Sequence, residues 1–203
     1  MSRSAPAELL AALAAAMRAH GFRWYVFGAQ AVMAHGRPRL TADVDATVDL
    51  GAAGTSALLD ALDMHGFALR FPLSDAHLRE ARLLPMVHLP SGMPLDLVIA
   101  APGLDDEFLE RARLVNLGGV EVPVVSAEDL VAMKLLAGRR KDLEDIRGVL
   151  SEQQDRLNLG RVRDVLAAFE AVTGEPTLIA KLERMLRARA GRGSRRGTPK
   201  ARG

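Results

Sequence analysis

The sequence predicts an α+β domain, and three observations support that fold class. The chain of 203 residues is 49% hydrophobic and 26% charged, which is the balance of a globular protein. Segments with strand and helix periodicity are interspersed without the strict alternation of a doubly wound sheet. Several helical segments in succession then close the chain. One compact domain with a small C-terminal appendage follows from this order.

The first half of the chain mixes short strands with helices. An Ala- and Leu-rich helix over 5–20 ends at Gly21, because glycine readily adopts the left-handed conformation that stops a helix. Pro38 disfavours a helical conformation for the residue before it, so the segment 37–39 is predicted to be a loop. The other predicted elements are a strand over 23–27, helices over 30–35 and 55–65, a strand over 41–50, extended pieces over 67–71, 83–89 and 95–100, and a helical turn over 75–81.

The second half predicts a helix, a hairpin and four further helices. Gly118 and Gly119 permit the positive φ of a tight hairpin turn. Ser126, with Asp129 three residues on, can satisfy the first free N–H groups of the next helix, and Gly138 ends that helix. The predicted elements are a helix over 105–113, the hairpin over 115–125, and helices ending at 137 and spanning 141–150, 159–172 and 177–189.

Composition excludes several classes of function. Cysteine is absent, so disulfides, thiolate zinc sites and cysteine nucleophiles are excluded, and any metal is held by oxygen or imidazole. No apolar run approaches the about 20 residues of a membrane span, and Glu8 interrupts the apolar segment at the start of the chain. We therefore expect a cytoplasmic protein that does not bind membranes.

The C-terminal stretch 187–203 is crowded with Arg and Lys and has no acidic residue. With its glycines and a proline, the segment 191–203 predicts a disordered basic arm. Such arms attract RNA or DNA phosphates without reading sequence. The alternative interpretation is a terminus that only aids solubility.

Asp43 and Asp45 are the first candidate catalytic residues. Side chains alternate faces along a strand, so both carboxylates project from one side, while Val44 and Val48 can pack on the other. Two neighbouring acids repel each other unless a cation lies between them, and Mg²⁺ prefers carboxylate and phosphate oxygens. Acid pairs at this spacing also occur by chance on solvated strands, so the pattern alone leaves both interpretations open.

Asp96 is the third candidate, a lone charge inside the apolar strand segment 94–99. A buried carboxylate is costly unless it is paired or bound to metal. If its strand neighbours that of Asp45, the three acids can hold two metal ions, with Asp96 on the acceptor side.

Gly28 and Ala29 form a small-residue turn between a strand and a helix. A helix that opens there points backbone N–H groups and the positive end of its dipole at an anion. Followed by the acid pair about fifteen residues later, this turn predicts a phosphate site and a metal site in one cleft.

With this turn, short helix and acid-x-acid strand, the sequence resembles the DNA polymerase β-type nucleotidyltransferase superfamily. Within it, three linked blocks resemble the AbiEii/MenT-type nucleotidyltransferases, which include toxins of toxin–antitoxin and phage-defence systems. The blocks are 39–45 (RLTADVD), 126–134 (SAEDLVAMK) and 140–146 (RKDLEDI), and the resemblance spans about 26–150.

The resemblance implies roles for individual residues. Gly28 and Ala29 hold the triphosphate, although a Gly-Gly or Gly-Ser pair is usual there. Asp43, Asp45 and Asp96 bind Mg²⁺ or Mn²⁺. In the later blocks, Lys134 matches a lysine that touches phosphate, and Asp142 matches an acid near the acceptor. Asp145 is the alternative candidate for that acidic role.

Basic residues near these blocks are further candidates. Lys134 lies among apolar side chains, where an ammonium needs either an exit to solvent or an anion. Arg37 and Arg39 flank Pro38 beside the expected cleft and are candidates for binding the triphosphate. The cluster Arg139 to Lys141 can clamp phosphates or form a solvated helix start.

The expected function is Mg²⁺-dependent transfer of a nucleoside monophosphate from an NTP to an RNA (a tRNA included) or protein acceptor, with an antitoxin protein as a partner if the chain is a toxin. Alternatives are an aminoglycoside-type, small-molecule nucleotidyltransferase and a non-catalytic nucleotide sensor. The expected organisation is a nucleotidyltransferase domain over 1–150, a helical extension over 151–190 and the basic tail over 191–203.

Overall fold

The computed structural model describes residues 3–74, 80, 82–174 and 176–194, and the side chains up to 189. The helical turn predicted over 75–81 lies outside the described residues, apart from position 80. Within the described ranges, no helix combines the length and apolarity that crossing a bilayer requires.

A mixed seven-stranded sheet forms the centre of the fold, as the α+β prediction anticipated. Its strand order is β3-β4-β5-β2-β1-β7-β6. The pairs β2–β5 and β1–β7 are parallel, and the other neighbours are antiparallel. The strands are β1 (Arg23–Val26), β2 (Val44–Asp49), β3 (Phe67–Leu69), β4 (Leu83–His88), β5 (Met93–Ile99), β6 (Arg113–Leu117) and β7 (Val120–Val124).

Eight α-helices of the described chain accompany the sheet. They are α1 (Ala5–His20), α2 (Gly28–His35), α3 (Gly54–Asp63), α4 (Leu104–Arg111), α5 (Ala127–Ala137), α6 (Arg140–Gln153), α7 (Leu159–Thr173) and α8 (Leu178–Ser194). A 3₁₀ turn, Gln154–Arg156, follows α6. The helix α8 continues to Ser194, into the segment 191–203 for which disorder was predicted, and residues 195–203 lie outside the described ranges.

The alternation of β2 and β5 separates the core from the candidate site. Val44, Ala46 and Val48 are fully buried, and so are Leu95 and Leu97 on the neighbouring strand. The register pairs the even-numbered residues of β2 with these leucines and Ile99, so one face of both strands is apolar. Burial of apolar faces such as this one supplies the main driving force for folding. The remaining side chains of the two strands therefore lie on the opposite face.

A buried carboxylate joins the C-terminal helices to α4. Asp129 is fully buried and accepts hydrogen bonds from Arg111 Nε (3.1 Å) and Arg161 Nε (2.9 Å). The predicted cap at Ser126 is confirmed, since its Oγ accepts from the backbone N–H of Asp129 at 3.2 Å. These contacts fix the direction in which α5 leaves the sheet.

Candidate active site

Two candidate carboxylates lie side by side on adjacent parallel strands. Asp45 on β2 is in register with Asp96 on β5, as the sequence argument required. Paired residues of neighbouring strands point to the same face, so both acids project from the face opposite the apolar one.

The position of Asp43 differs from the prediction in one respect. The strand was predicted over 41–50, but β2 begins at Val44, so Asp43 lies one residue before it. Thr41 Oγ1 donates to the Asp43 carbonyl (3.2 Å) and to its carboxylate Oδ1 (2.7 Å). Local side-chain hydrogen bonds of this kind compete with a strand ladder, which explains the late start.

Asp45 lies in an environment that strongly disfavours its charged form. Its burial, followed by the charges of Asp43 and Asp96, raises its pKa from 3.8 to about 6, against the opposing charges of Lys134 and Arg139. The carboxylates of Asp43 and Asp96 are therefore close enough to repel that of Asp45, and the charges of Lys134 and Arg139 partly offset this repulsion. An added cation between these acids would relieve that repulsion.

Gly28, the first residue of α2, packs directly against Asp45. Its φ is +60°, and a Cβ at this position would lie 1.8 Å from Asp45 Oδ2 and 2.6 Å from Cγ. The backbone N–H of Phe27 also donates to the Asp45 carbonyl at 3.0 Å. Only glycine allows the start of α2 to approach the carboxylate this closely.

The first N–H groups of α2 have no partner within the helix, as at every helix start. Ala29 is buried, with 2% of its surface exposed, so its methyl group belongs to the core. Ala29 can therefore bind an anion only through its backbone N–H, which lies beside that of Gly28 at the positive end of the helix dipole.

Asp96 has a partner that sequence reasoning missed. Arg70, directly after β3, forms an ion pair with its carboxylate, and the two side chains are 35% and 32% exposed. The pair connects the end of β3 with β5 across the intervening strand β4. Nothing in the local sequence around Arg70 signals this contact.

Lys134 lies in a buried network rather than reaching solvent. Its Nζ donates to Asp145 Oδ2 at 2.7 Å and to Asp142 Oδ1 at 3.1 Å, and its side chain is only 6% exposed. Arg39 binds Asp145 through Nε (3.0 Å) and Nη2 (3.2 Å). The sequence left open whether this ammonium reaches solvent or binds an anion. In the structure it binds the two carboxylates of Asp142 and Asp145.

Arg139 extends the network toward the carboxylate cluster. Its Nε donates to Asp142 Oδ2 at 2.6 Å, and this hydrogen bond, together with the charges of Asp142, Asp45 and Asp43, raises the pKa of Arg139 against its partial burial. Burial acts to raise the pKa of Asp142, but hydrogen bonds from Arg139 and Lys134 outweigh it and hold that pKa below its ordinary value. Both groups therefore stay charged at neutral pH.

The predicted residues thus fall into two linked groups. Asp45 lies against Gly28, and Asp43, Asp96, Lys134 and Arg139 are near enough for their charges to act on it. Asp142 and Asp145 bind Lys134, and Arg39 binds Asp145. Arg37 stands apart, in an exposed ion pair with Glu152 at 3.5 Å.

The acids fit a divalent cation by chemistry, although they do not form a complete metal site. Among the described residues, no group of three His, Asp or Glu side chains is arranged to hold an ion by itself. Two carboxylates supplemented by water and substrate phosphates are, however, the usual protein contribution to Mg²⁺ binding. The oxygen-only donor set and the raised pKa of Asp45 are consistent with such a shared site.

The mixed sheet and its flanking helices have the α+β architecture that the sequence predicts for a nucleotidyltransferase. The chain belongs to a family described as nucleotidyltransferases of unknown function (DUF6036), whose model matches residues 9–176. The protein is thus a nucleotidyltransferase, an enzyme. None of the curated proteins matches the sequence.

Solved structures show the same fold at low sequence identity. The crystal structure of ANT(2")-Ia with adenylyl-2"-tobramycin has a TM-score of 0.56 and 19% identity, over 81% of this chain and 97% of that one. A solution structure of the antibiotic-resistance factor ANT(2")-Ia has a TM-score of 0.56 and 16% identity, over 90% and 98%. An antigenic nucleotidyltransferase-like protein from Paracoccidioides brasiliensis has a TM-score of 0.50 and 18% identity, over 90% and 95%.

Proposed function

We propose that the enzyme uses Mg²⁺, or Mn²⁺, to transfer a nucleoside monophosphate from an NTP to a macromolecular acceptor, an RNA such as tRNA or a protein. One observation carries the proposal. Asp45 is in register with Asp96 on the next parallel strand and packs against Gly28 at the start of α2, so an anion site and the acids adjoin.

In this proposal Asp43 and Asp45, with Asp96 on the acceptor side, would hold the divalent ion, and the start of α2 binds the triphosphate through the N–H groups of Gly28 and Ala29. The ion would neutralise phosphate charge and polarise the α-phosphate. Lys134 and Arg139 add positive charge near Asp45, which favours its ionised form. Arg37 and Arg39 remain candidates for the outer phosphates.

Asp96 lies on the acceptor side in this proposal, where Arg70 positions its carboxylate. An acceptor hydroxyl oxygen bonds to the α-phosphorus, the bond from that phosphorus to the bridging oxygen breaks, and pyrophosphate leaves. Asp96 orients the hydroxyl and accepts its proton. Most of the rate then comes from alignment and neutralised charge. Either Asp142 or Asp145 supplies a further acidic group near the acceptor.

The three blocks that resemble AbiEii/MenT-type enzymes favour a toxin of a toxin–antitoxin or phage-defence system, with an antitoxin protein as partner. We assign catalysis to residues 1–150, and treat 151–190 and 191–203 as a helical extension and a basic tail.

The test is a labelling experiment. Purified protein is incubated with Mg²⁺, each α-labelled NTP and either total RNA or total cell protein, beside the variant Asp43→Asn/Asp45→Asn. We expect label on one acceptor with the wild type and none with the variant. Equal labelling by the variant would refute the assigned metal site, and label on neither acceptor would refute a macromolecular substrate.

A small-molecule acceptor is the second candidate. The likeness to the structure of ANT(2")-Ia solved with adenylyl-2"-tobramycin favours it, because that protein matches over 97% of its length. The same labelling mixture with aminoglycosides in place of macromolecules distinguishes the two candidates. Binding of NTP without transfer to any acceptor would instead indicate a non-catalytic nucleotide sensor.

A further inference from the structure

An arginine-rich groove lies between the loop after α2, helix α6 and helix α8. Its volume is about 680 Å³. Two acidic side chains, Glu144 and Asp145, line it, whereas five arginines do so. The arginines, which define what we name the arginine groove, are Arg37, Arg39, Arg147, Arg184 and Arg189.

Most of this positive charge is not neutralised from within the protein. Asp145 is committed to Lys134 and Arg39, at 2.7 Å and 3.0 Å. Of the remaining arginines, Arg37 has only its exposed ion pair with Glu152. Arg147, Arg184 and Arg189 are exposed and form no ion pair with any residue in the described part of the chain.

Apolar side chains also line the arginine groove, among them Val32, Pro38, Leu150 and Met185. A concave surface lined by both apolar side chains and guanidinium groups suits a ligand with both flat rings and phosphates. Arginine binds phosphate through two parallel N–H groups and also stacks on ring faces. Single-stranded nucleic acid presents both features along its length.

The groove adjoins the candidate active site through the chain and through contacts. Arg39 precedes Asp43 by four residues, which span at most about 14 Å when extended. Asp145 belongs to the groove lining and also binds Lys134, whose charge acts on Asp45. A single-stranded nucleic acid held in the groove can therefore place its end near Asp43, Asp45 and Asp96.

We propose that the arginine groove binds the phosphate backbone of an RNA acceptor and directs its end to the active site. This inference rests on the proposed function and selects RNA among its acceptors. Polycationic acceptors are disfavoured by the same charges. The sequence after the groove, 195–203, adds four basic residues and no acid. Its charge therefore has the same sign as that of the groove.

The experiment measures RNA binding without turnover. Fluorescence anisotropy of a short fluorescein-labelled single-stranded RNA is recorded over a series of KCl concentrations. The groove variant is Arg147→Gln/Arg184→Gln, which spares the candidates for the triphosphate. The control is Arg18→Gln/Arg113→Gln, which removes the same charge from exposed positions outside the groove.

We expect the groove variant to bind RNA roughly tenfold more weakly near 0.1 M salt, because two lost phosphate contacts lower the slope of log affinity against log salt by about 1.4. The control should lose little affinity. Calorimetric binding of Mg²⁺-NTP should be unchanged in both, which also verifies folding. Asp43→Asn/Asp45→Asn should keep wild-type RNA affinity, so failure of transfer and failure of the groove are separable.

Three results would overturn the inference. Equal weakening in the control would mean that overall charge, not the groove, attracts RNA. Loss of NTP binding in the groove variant would assign the arginines to the triphosphate. Displacement of the RNA by polyglutamate at equal charge concentration would indicate a site for an acidic protein.

Discussion

Substituting Gly28 with alanine should disable the enzyme through Asp45. The new Cβ would lie 1.8 Å from Asp45 Oδ2, whereas a relaxed contact needs about 3.5 Å. The carboxylate must therefore move by more than about 1 Å, and misplacement of that size costs about 100-fold in rate. The labelling assay should show this loss, and calorimetry should show weaker binding of Mn²⁺ with NTP.

The positive φ of +60° adds a separate penalty of about 1 kcal/mol for any residue with a Cβ. Gly21→Ala is the matched control, because Gly21 has φ +69° and no atom lies within 4 Å of the place that its Cβ would occupy. Gly21→Ala should melt about 2–4 °C below the wild type, and Gly28→Ala at least as far below it, because the displaced carboxylate adds to the same φ penalty. Only Gly28→Ala should lose activity. Wild-type transfer by a folded Gly28→Ala enzyme would refute this reasoning.

Three further predictions concern charges in and around the site. Asp45→Asn should raise the free energy of unfolding by about 3 kcal/mol above pH 6, with almost no gain at pH 4, while abolishing Mn²⁺ binding. Lys134→Met should destabilise the protein by about 3 kcal/mol in denaturant unfolding, because the buried carboxylates of Asp142 and Asp145 lose a cation. The control Arg140→Gln, which removes an exposed ion pair, should cost under about 0.5 kcal/mol. Arg70→Gln should lower kcat through Asp96 and leave NTP binding unchanged.

The sign of the Asp45 effect follows from its raised pKa. Between 3.8, its ordinary pKa, and about 6, the folded protein holds a proton that the unfolded chain has released. The contribution of Asp45 to the free energy of unfolding therefore falls as the pH rises from 3.8 to about 6, and it stays low above that pH. Metal binding has the opposite dependence, weakening below about pH 6. A variant whose stability gain were equal at pH 4 and pH 7 would contradict this account.

For the other two variants, contrary results are equally specific. Unfolding of Lys134→Met at the wild-type denaturant concentration would mean that Arg39 and Arg139 neutralise the two acids without it. An Arg70→Gln enzyme with normal kcat would show that Asp96 needs no positioning. A rise in KM for NTP without a change in kcat would assign Arg70 to the nucleotide instead.

Local patterns were sufficient where a single segment decides the structure. The helix stop at Gly21, the hairpin at Gly118 and Gly119, and the cap at Ser126 depend on residues close in sequence, and all three are confirmed. The alternation around Asp45 likewise predicted its buried neighbours correctly. The late start of β2 was missed because Thr41 forms side-chain hydrogen bonds that strand periodicity does not reveal.

The sequence by itself determined the class of fold and the candidate acids, since periodicity and the spacing of charges are local properties of the chain. Only the tertiary structure decided which acids meet. The register of β2 with β5 aligns Asp45 with Asp96, and the packing of α6 against α5 encloses Lys134 between two carboxylates. The contact of Arg70 with Asp96 and the assembly of the arginine groove also join distant segments. Such contacts depend on how elements pack, which no local pattern encodes.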